Sequence, residues 1–572
     1  MLTLGISDTA STAALIDNGK ILSIIHEERM QRIKRFVGFP KESILECLRI
    51  ADISKEEINN IAIVNTNEFP IKLRTDIFEH KNLPYNIFSS RYERFLTMVF
   101  EFYRLKILNN KNINKVDSFI SKKIVERKLR NLGFKDQKKY YIDHHLAHAS
   151  SAFYTSNFGE SLVITLDGQG NRISGTVNIG KKNEIERINE IDIFSSLGHF
   201  YGGITELLGF KYDYDENKVM ALAPYGNPDI LFDKLKNYFS SDKTKIIKKP
   251  PLNRYGRCSS LYLKKILDGY KKEDIAAGSQ KVLEDVVCNL VSNCIDETGI
   301  RNITLAGGIF LNIKLNKSIL ELDNVKNVFV HPAADDSGTA LGAALFLNFQ
   351  LTGKKPDKFT NVYFGSSFSE DEIKKSLFSK KDQYNLKFEY IDEVEKYVGE
   401  YILPKGYLVG WFQGRMEYGP RALGNRSVLG DPRNLNIPKK IRLTFKKRPS
   451  FQPFCQSIID KAEKNFVVNP KKNNTSFMTI GFESTEKGIN ETPAVVHVDN
   501  SIRPHIFNRK NNEKFYKLIE SFNKETGVPV ILNTSFNMSG EPIVRTPIEA
   551  IKDLVFGKLD YLVMENYLVR RR

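Results

Sequence analysis

The pattern of apolar and polar positions predicts a chain in which strands and helices alternate. Residues 2–25 predict a β-hairpin, because two apolar runs are joined by Asp17-Asn18-Gly19, a strong turn signal. Residues 61–66 predict a further strand. Later apolar runs, in residues 162–170 and 303–316, end in glycine-rich turns. Alternation of this kind is typical of an α/β protein.

The length of 572 residues is too great for a single hydrophobic core and predicts at least two domains. A polar connector that contains proline, residues 353–358, marks the boundary, which gives domains 1–354 and 355–572. A helical insertion of about residues 70–139 is strongly basic, since residues 72–139 hold 17 Lys/Arg and 7 Asp/Glu. Its basic face is either simply solvated or a docking surface for an anionic acceptor.

Composition narrows the class of protein only a little. Hydrophobic residues make up 41% of the chain and charged residues 27%, which is ordinary for a globular protein, and no apolar run is long enough to span a membrane. The first residues are typical of a strand rather than a signal peptide. Five scattered cysteines predict a reduced, cytoplasmic protein. The net charge of +17 fits nucleic acid, an anionic membrane face, anionic substrates, or a lysine-rich composition alone.

The most distinctive stretch is residues 140–154, which holds three of the nine histidines. On a helix, His144 and His148 share a face and His145 points away. Asp167 lies at the end of a strand, and Asp336 at the start of a helix packed with alanine and glycine, where each could complete a metal site. Mixed imidazole and carboxylate ligands suit iron or zinc. Hydrogen-bonded core histidines are the alternative.

The second domain concentrates basic side chains around glycine turns and Asn/Ser loops. Arginine forks and backbone amides bind phosphates, so this arrangement predicts a site for a triphosphate and a phosphorylated small substrate. Solvated surface arginines would instead be expected on charged helices. In the first domain, the amides of the Gly307-Gly308 turn could receive a nucleotide phosphate or ribose. The basic residues are Arg415, Arg421, Arg426, Lys446, Arg448 and Arg503.

Long motifs in both halves carry a resemblance to a known family. They are residues 410–427, 446–454, 497–503 and 532–544, which follow the hairpin, the HxxxH helix and the glycine turns of the first half. Together they resemble the nodulation- and antibiotic-type O-carbamoyltransferases over nearly the whole chain. The resemblance implies an α/β protein with an actin-like (ASKHA) two-lobed N-terminal domain, similar to the threonylcarbamoyl-transferring protein of tRNA modification. A YrdC-like α/β domain would follow.

This resemblance implies a two-step reaction. The YrdC-like domain would join carbamoyl phosphate to ATP, with Mg²⁺, and form carbamoyl adenylate; the first domain would transfer the carbamoyl group to an acceptor hydroxyl. Fe²⁺ or Zn²⁺ would be held by His144, His148, Asp167 and Asp336. Catalytic roles would fall to Asp336, Asp167, Lys446 and Arg503. The groups expected to bind nucleotide or carbamoyl phosphate are Arg415, Arg421, Lys446, Arg448, Arg503, Asn533, Ser535, Gly307, Gly308 and Asn312.

The chain departs from the family pattern at several positions. Relatives commonly carry a His-Asp pair in the first hairpin, whereas here Asp8 or Thr9 stands at the histidine position and no histidine precedes His26. Asn217, Gln452 and His505 also differ from the residues usual in the family. We expect these three differences to shift acceptor or nucleotide preference while preserving the fold.

Two other functions are alternatives to the transferase. One is an ASKHA-type phosphotransferase, which would release ADP; the other is a basic nucleic-acid-binding protein with a degenerate enzyme core. The acceptor itself is left open by the sequence: a sugar nucleotide, a polysaccharide unit, a natural product or modified nucleic acid. A homodimer is also compatible with the sequence.

Overall fold

The computed structural model describes residues 1–65, 111–253 and 258–572, and it is a mixed α/β protein with several sheets, as the sequence predicts. Residues 66–110, the larger part of the basic insertion, lie outside the described residues. The chain divides into two compact units. Unit 1 comprises Met1–Leu22, Phe36–Leu311 and Ser318–Asp357, and unit 2 comprises Ser23–Arg35, Asn312–Lys317 and Lys358–Arg572.

Unit 1 is organised on two five-stranded sheets with the same connectivity, and the edge strand Lys20–His26 of the first sheet continues from Leu22 into the residues assigned to unit 2. The first sheet has the strand order Lys20–His26, Thr12–Asp17, Leu2–Ser7, Asn60–Asn65 and Lys138–Asp143. The second has the order Glu184–Asp192, Ile173–Lys181, Glu160–Gly170, Asn302–Ala306 and Asn327–Val330. In both sheets the strand that comes first in sequence is central, antiparallel to the second and parallel to the fourth. Unit 1 is therefore built on a structural repeat.

The first hairpin differs from the predicted one in having three strands instead of two. The predicted turn forms, with Asn18 and Gly19 at φ 49° and 90°, values that a tight hairpin turn requires. A second turn at residues 8–11 divides the first apolar run. Ser11 adopts φ 43° there, and its hydroxyl donates to the Gly38 carbonyl at 2.7 Å. Two local hydrogen bonds support this turn: Ser7 Oγ lies 3.1 Å from Thr9 Oγ1, and Thr12 Oγ1 donates to the Ala10 carbonyl at 3.0 Å.

Equivalent helices of the repeat pack directly against each other. His144–Thr155 follows the last strand of the first sheet, and Thr339–Thr352 follows the last strand of the second. A Cβ at Gly342 would lie 1.9 Å from the Ala147 carbonyl oxygen, so the close approach of the helices requires glycine. Among the described residues, the other α-helices of unit 1 are Lys41–Ala51, Lys111–Asn131, Leu197–Leu207, Glu216–Leu222, Phe232–Lys236, Cys258–Ile266 and Lys272–Thr298. Strands Phe239–Asp242 and Lys245–Lys248 form a small hairpin.

Unit 2 is organised on an eight-stranded mixed sheet. Its strand order is Leu386–Tyr390, Tyr567–Arg571, Tyr561–Met564, Val409–Phe412, Arg426–Gly430, Val530–Ser535, Cys455–Ile459 and Pro504–Phe507. Its helices are Glu27–Gln31, Glu370–Lys380, Val394–Tyr397, Asn436–Ile441, Glu463–Phe466, Glu486–Glu491, Glu513–Thr526 and Pro547–Phe556, and helix Ile313–Glu321 begins in it. A three-stranded sheet, Val467–Val468, Phe482–Ser484 and Ser501–Ile502, completes the unit.

One apolar core joins the large sheet of unit 2 to three of its helices. Ile373, Ile437 and Leu554, each from a different helix, pack in one cluster with Val428 and Leu532 of the strands. Burial of so many apolar side chains fixes the sheet as a rigid support for the loops at its edge. Within the described ranges of both units, every helix is too short or too polar to cross a bilayer.

Candidate active site

The structure brings the four predicted metal ligands together in unit 1. One ligand atom of each of His144, His148, Asp167 and Asp336 lies within 4.8 Å of the others. His148 Nε2 is 3.2 Å from Asp167 Oδ2 and 3.3 Å from Asp336 Oδ1. His144 Nε2 is 3.7 Å and 3.5 Å from the same two atoms. Two imidazoles and two carboxylates thus converge on a volume of the size that one metal ion needs.

The sequence explains why both histidines face the carboxylates. Asp143 caps the helix, because its Oδ1 accepts the Leu146 amide at 2.9 Å. Burial raises the pKa of Asp143, but the charge of Arg187 together with hydrogen bonds from Arg187, Asn171 and the Leu146 amide lowers it to about 2, so the cap stays ionised. The helix therefore begins at His144, and His148 follows one turn later on the same face.

Glycines bring the backbone of the second sheet close to this cluster. A Cβ at Gly170 would lie 2.0 Å from His144 Cδ2, and one at Gly308 would lie 3.0 Å from Asp167 Oδ1. Gly307 has φ 104°, a left-handed conformation that side chains disfavour. The predicted Gly307-Gly308 turn is therefore adjacent to the carboxylate ligand.

An unpaired buried polar atom in the cluster indicates that the cluster can hold a metal ion. Nε2 of His144, the ring nitrogen that faces the two carboxylates, is buried and has no hydrogen-bond partner among the described residues. Unpaired buried polar atoms are costly, and metal coordination is one way to satisfy them. Imidazole nitrogen with carboxylate oxygen is a donor set suited to Zn²⁺ or Fe²⁺.

Electrostatics within the cluster also favour a cation. Burial lowers the pKa of His148, but hydrogen bonds and charge from Asp167 and Asp336 outweigh it and raise the pKa to about 9. Burial raises the pKa of Asp167, yet the two histidines hold it well below its usual value. Burial, and then the charge of Asp167, raise the pKa of Asp336. The group thus attracts positive charge, which a metal would supply in place of a proton.

The turn at residues 8–11 is linked to the metal cluster through hydroxyl groups. Thr339 Oγ1 lies 2.6 Å from the Asp336 carbonyl oxygen and 3.0 Å from Ser7 Oγ. Ser7 Oγ is in turn 3.1 Å from Thr9 Oγ1. The turn at residues 8–11 is thus connected to the backbone of Asp336, and the connecting groups are hydroxyls.

Two further buried histidines surround the cluster and have their own partners. His145 Nδ1 is 2.9 Å from Thr165 Oγ1, and burial lowers the pKa of His145 to about 3. His331 Nδ1 is 3.0 Å from Thr155 Oγ1, and burial likewise lowers its pKa to about 3. Both are neutral core residues behind the ligands.

In unit 2, part of the predicted anion-binding set gathers around two strand ends. Lys446 is buried, and its Nζ donates to Ser535 Oγ at 3.0 Å and to Asn537 O and Oδ1 at 2.8 Å each. Arg503 donates to Cys455 Sγ from Nε at 2.9 Å and from Nη2 at 2.7 Å. A lysine ammonium and an arginine fork at neighbouring strands can together bind phosphate groups.

Arg448 and Asn533, two other predicted residues, belong to the same region. We call this region the basic cluster, and it comprises Lys446, Arg448, Arg503, Asn533 and Ser535. Burial lowers the pKa of Arg448 to about 10, and the charge of Arg503 contributes to this shift, so the two cations are close. Asn533 pairs with Cys455 across the sheet and donates to Ser457 Oγ at 2.9 Å. Asn537, which sequence reasoning did not single out, is part of the cluster through its bonds to Lys446; its position in the Asn/Ser loop after Ser535 was the available signal.

The remaining predicted residues lie in other settings. Arg415 donates to the carbonyls of Phe364 and Gly365, at 2.6 Å and 3.2 Å. Asn312 caps helix Ile313–Glu321, where its Oδ1 accepts two backbone amides. Arg421 lies in the turn that precedes strand Arg426–Gly430.

Arg426 supports the loop of the longest motif from within. It is fully buried, stacks 3.6 Å above the Phe412 ring, and donates to the carbonyls of Gln413, Gly414, Asn425 and Ser366. Glu417 accepts three backbone amides of the same loop. The hydrogen bonds of Arg426 and Glu417 therefore stabilise the backbone conformation of this loop.

Comparison with known proteins identifies the class. The model of the carbamoyltransferase N-terminus matches residues 3–345, and that of the carbamoyltransferase C-terminus matches residues 401–571. The chain belongs to the carbamoyltransferase family.

Named relatives extend this result. Nodulation protein NolNO of Sinorhizobium fredii is 32% identical over 98% of this chain and 78% of its own length. The 3'-hydroxymethylcephem-O-carbamoyltransferase of Streptomyces clavuligerus is 28% identical over 47% of this chain and 48% of its own. Among solved structures, full-length HypF in its phosphate- and nucleotide-bound form covers 62% of this chain and 47% of its own, with 15% identity and a TM-score of 0.33.

Proposed function

We propose that this protein forms carbamoyl adenylate from carbamoyl phosphate and ATP and then transfers the carbamoyl group to an acceptor hydroxyl. The observation that carries the proposal is the separation of two kinds of site. Unit 2 holds the basic cluster, which suits phosphate groups, and unit 1 holds the cluster of metal ligands. Relatives of the family include a named O-carbamoyltransferase, which supports a hydroxyl as the acceptor.

Adenylation is assigned to the basic cluster. Carbamoyl phosphate would lose its phosphate to water and leave carbamate; a carbamate oxygen would then bond to the α-phosphorus of ATP, and pyrophosphate would leave. The ammonium of Lys446 and the guanidinium of Arg503 would stabilise the charge that develops on the phosphate oxygens. Asn533 and Ser535 would orient the substrates, and Arg415 and Arg421 remain candidates for the outer phosphates. Mg²⁺ would accompany ATP.

Transfer is assigned to unit 1. The acceptor oxygen would bond to the carbonyl carbon, the bond to AMP would break, and the hydroxyl proton would be released. Zn²⁺ or Fe²⁺ held by His144, His148, Asp167 and Asp336 would supply a Lewis acid for the carbonyl. The amides of the Gly307-Gly308 turn would receive the phosphate or ribose of AMP.

We further propose that unit 1 is an actin-like (ASKHA) domain and that unit 2 is YrdC-like. The structural repeat of unit 1 supports the first assignment. Its two sheets have the same strand order, and the histidines that follow the first sheet meet the aspartates of the second in one cluster. The mixed eight-stranded sheet of unit 2, with its basic cluster at the strand ends, is compatible with the second.

Product analysis with purified protein tests the proposed function. With ATP, Mg²⁺, carbamoyl phosphate and a panel of hydroxyl-bearing acceptors, we expect AMP and pyrophosphate to form, and AMP release to depend on the acceptor. Formation of ADP would instead indicate a phosphotransferase. Affinity for DNA or RNA without nucleotide turnover would indicate a nucleic-acid-binding protein.

A basic helix that contacts the strand preceding helix His144–Thr155 supports an anionic acceptor. Helix Lys111–Asn131 contacts strand Lys138–Asp143, because Tyr141 donates to Glu126 at 2.9 Å and Lys122 lies 4.7 Å from the Tyr141 ring centre. That strand leads directly into helix His144–Thr155, which carries the two candidate histidine ligands. An acceptor with phosphate or carboxylate groups would therefore meet positive charge near the transfer site.

The acceptor KM is expected to rise with salt, on the order of tenfold between about 50 and 200 mM, since salt screens several charge contacts at once. Changing Arg127, Lys128 and Arg130 to Glu should raise the KM at low salt and flatten the salt response. A matched control changes Lys374, Lys375 and Lys380 of unit 2 to Glu, which alters the net charge equally. A flat salt response in the unmodified protein would contradict an anionic acceptor.

A further inference from the structure

Ser196 is a fully buried residue whose hydroxyl contacts the backbone of a candidate metal ligand. Its Oγ donates to the Gly168 carbonyl oxygen at 2.7 Å, and the Asp167 carbonyl oxygen lies 3.3 Å from the same Oγ. The hydroxyl also accepts the His199 amide at 3.1 Å and so caps helix Leu197–Leu207. One side chain therefore joins the start of this helix to the part of the strand that carries Asp167.

The peptide group between Asp167 and Gly168 sets the direction of the Asp167 carboxylate. The Gly168 amide of this peptide group donates to Asp167 Oδ1 at 2.7 Å. The other oxygen, Oδ2, faces the imidazoles, at 3.2 Å from His148 Nε2 and 3.7 Å from His144 Nε2. Because Oδ1 is bonded to the peptide group, a rotation of that group would move Oδ2 relative to the histidines. The Ser196 hydroxyl lies where it opposes such a rotation.

Close packing keeps the turn that contains Ser196 against this peptide group. A Cβ at Gly198 would lie 2.7 Å from both Cα and N of Gly168 and 2.9 Å from the Asp167 carbonyl carbon, so the approach requires glycine. Phe200 packs edge-to-face against Phe239 of the small hairpin, with ring centres 4.9 Å apart. The turn is therefore fixed both to the strand of Asp167 and to the hairpin.

Lys248 holds the same turn from the small hairpin. It is only 3% exposed, and its Nζ donates to the Ser196 carbonyl oxygen at 3.2 Å. Its backbone amide donates to Ser195 Oγ, also at 3.2 Å. Burial lowers the pKa of Lys248 to about 7, but a neutral amine still donates hydrogen bonds, so the contact with Ser196 does not require the charge.

We propose that Ser196 and Lys248 are positioning residues for Asp167. Lys248 fixes the backbone of Ser196, and the Ser196 hydroxyl fixes the peptide group that directs Asp167 Oδ2 towards the histidines. Hydrogen-bonding partners behind a metal ligand tune the affinity of a site for its metal. The inference rests on the proposed metal site of unit 1 and is independent of the adenylation assigned to unit 2.

Binding of Co²⁺ to the full-length protein, freed of metal with a chelator, tests this positioning. The visible absorption of Co²⁺ depends on the geometry of its ligands, so it reports more than the loss of fold. Ser196→Ala should weaken Co²⁺ binding by about 10- to 100-fold and change the absorption band. Ser196→Thr keeps a hydroxyl and should restore most of the affinity and the band.

Lys248→Met tests the second residue of the pair. It should weaken Co²⁺ binding by about three- to tenfold, because the Ser196 backbone loses one of its hydrogen bonds. Lys245→Met changes an exposed lysine of the same strand and is the matched control, which should bind Co²⁺ as the unmodified protein does. Circular dichroism of all four variants measures whether the fold persists.

Each outcome decides between positioning and its alternatives. Unchanged Co²⁺ affinity and absorption in Ser196→Ala would overturn the inference, as would equal affinities of Lys248→Met and Lys245→Met. Absence of Co²⁺ binding by the unmodified protein would refute the metal site and this inference with it. Weaker Co²⁺ binding in Ser196→Ala with unchanged carbamoyl transfer would retain the positioning and refute the role of the metal in transfer.

Discussion

Replacing Lys446 with Met is expected to lower pyrophosphate release from ATP and carbamoyl phosphate by about a thousandfold or more. The ammonium is buried and held by three oxygen acceptors of one loop, so it has a fixed position from which to stabilise charge on a transferred phosphoryl group. Methionine fills a similar volume without the charge. Metal content should be unchanged, because the four proposed metal ligands lie in unit 1.

Asp336→Asn is expected to give the complementary result. Pyrophosphate release should continue at a rate within about threefold of the unmodified protein, while transfer of the carbamoyl group should fall by on the order of a thousandfold. The reason is that Asp336 belongs to the metal cluster and has no part in the basic cluster. Both products are measured in one reaction, with radiolabelled carbamoyl phosphate and a coupled pyrophosphate assay.

Each variant has a neighbour that serves as its control. Lys447→Met changes an exposed lysine adjacent to Lys446, and Asp323→Asn changes an exposed carboxylate of unit 1; both should behave as the unmodified protein does. If Asp336→Asn reduces pyrophosphate release in parallel with transfer, the assignment of the two steps to two sites is wrong.

Local spacing predicts only part of the meeting of the four candidate metal ligands. Helical periodicity places His144 and His148 on one face, and Asp167 ends a strand that the apolar pattern identifies. Asp336 is 169 residues further along the chain than Asp167, and its proximity follows from the structural repeat, which sets equivalent helices side by side. The alternation of strands and helices likewise predicted the mixed α/β class.

Other features depend on contacts that no local pattern contains. From the sequence, Arg415, Arg426 and Lys446 are equally good candidates for binding phosphate. In the structure, Arg426 is enclosed by backbone carbonyls and Lys446 by the Asn/Ser loop. The distinction arises from which strands become neighbours. Asp553 looks like one more polar position of an amphipathic helix, and only the packing of that helix leaves its side chain buried. The turn at residues 8–11 falls in a polar stretch, but the sequence pattern did not show that this stretch ends one strand and begins another.

Loss of metal is the second large effect that we expect. His148→Ala should reduce bound Fe²⁺ or Zn²⁺ from about one ion per chain to less than about a tenth, since the imidazole lies within 3.3 Å of both carboxylates and is central to the cluster. The fold should persist, because the helix keeps its Asp143 cap and its packing. Elemental analysis with circular dichroism measures both. His145→Gln, which alters a buried histidine outside the ligand set, should retain the metal.

Gly170→Ala tests the same site without touching a ligand. The added Cβ would lie 2.0 Å from His144 Cδ2, so the imidazole must move, and metal affinity should fall by about 10- to 100-fold. Gly159→Ala, just before the same strand, is the matched control because nothing lies within 4 Å of its Cβ. Competition with a chelator gives the affinities of both variants. Equal affinities would mean that His144 is not a ligand, even if His148→Ala has lost its metal, and the site would then need a different fourth donor.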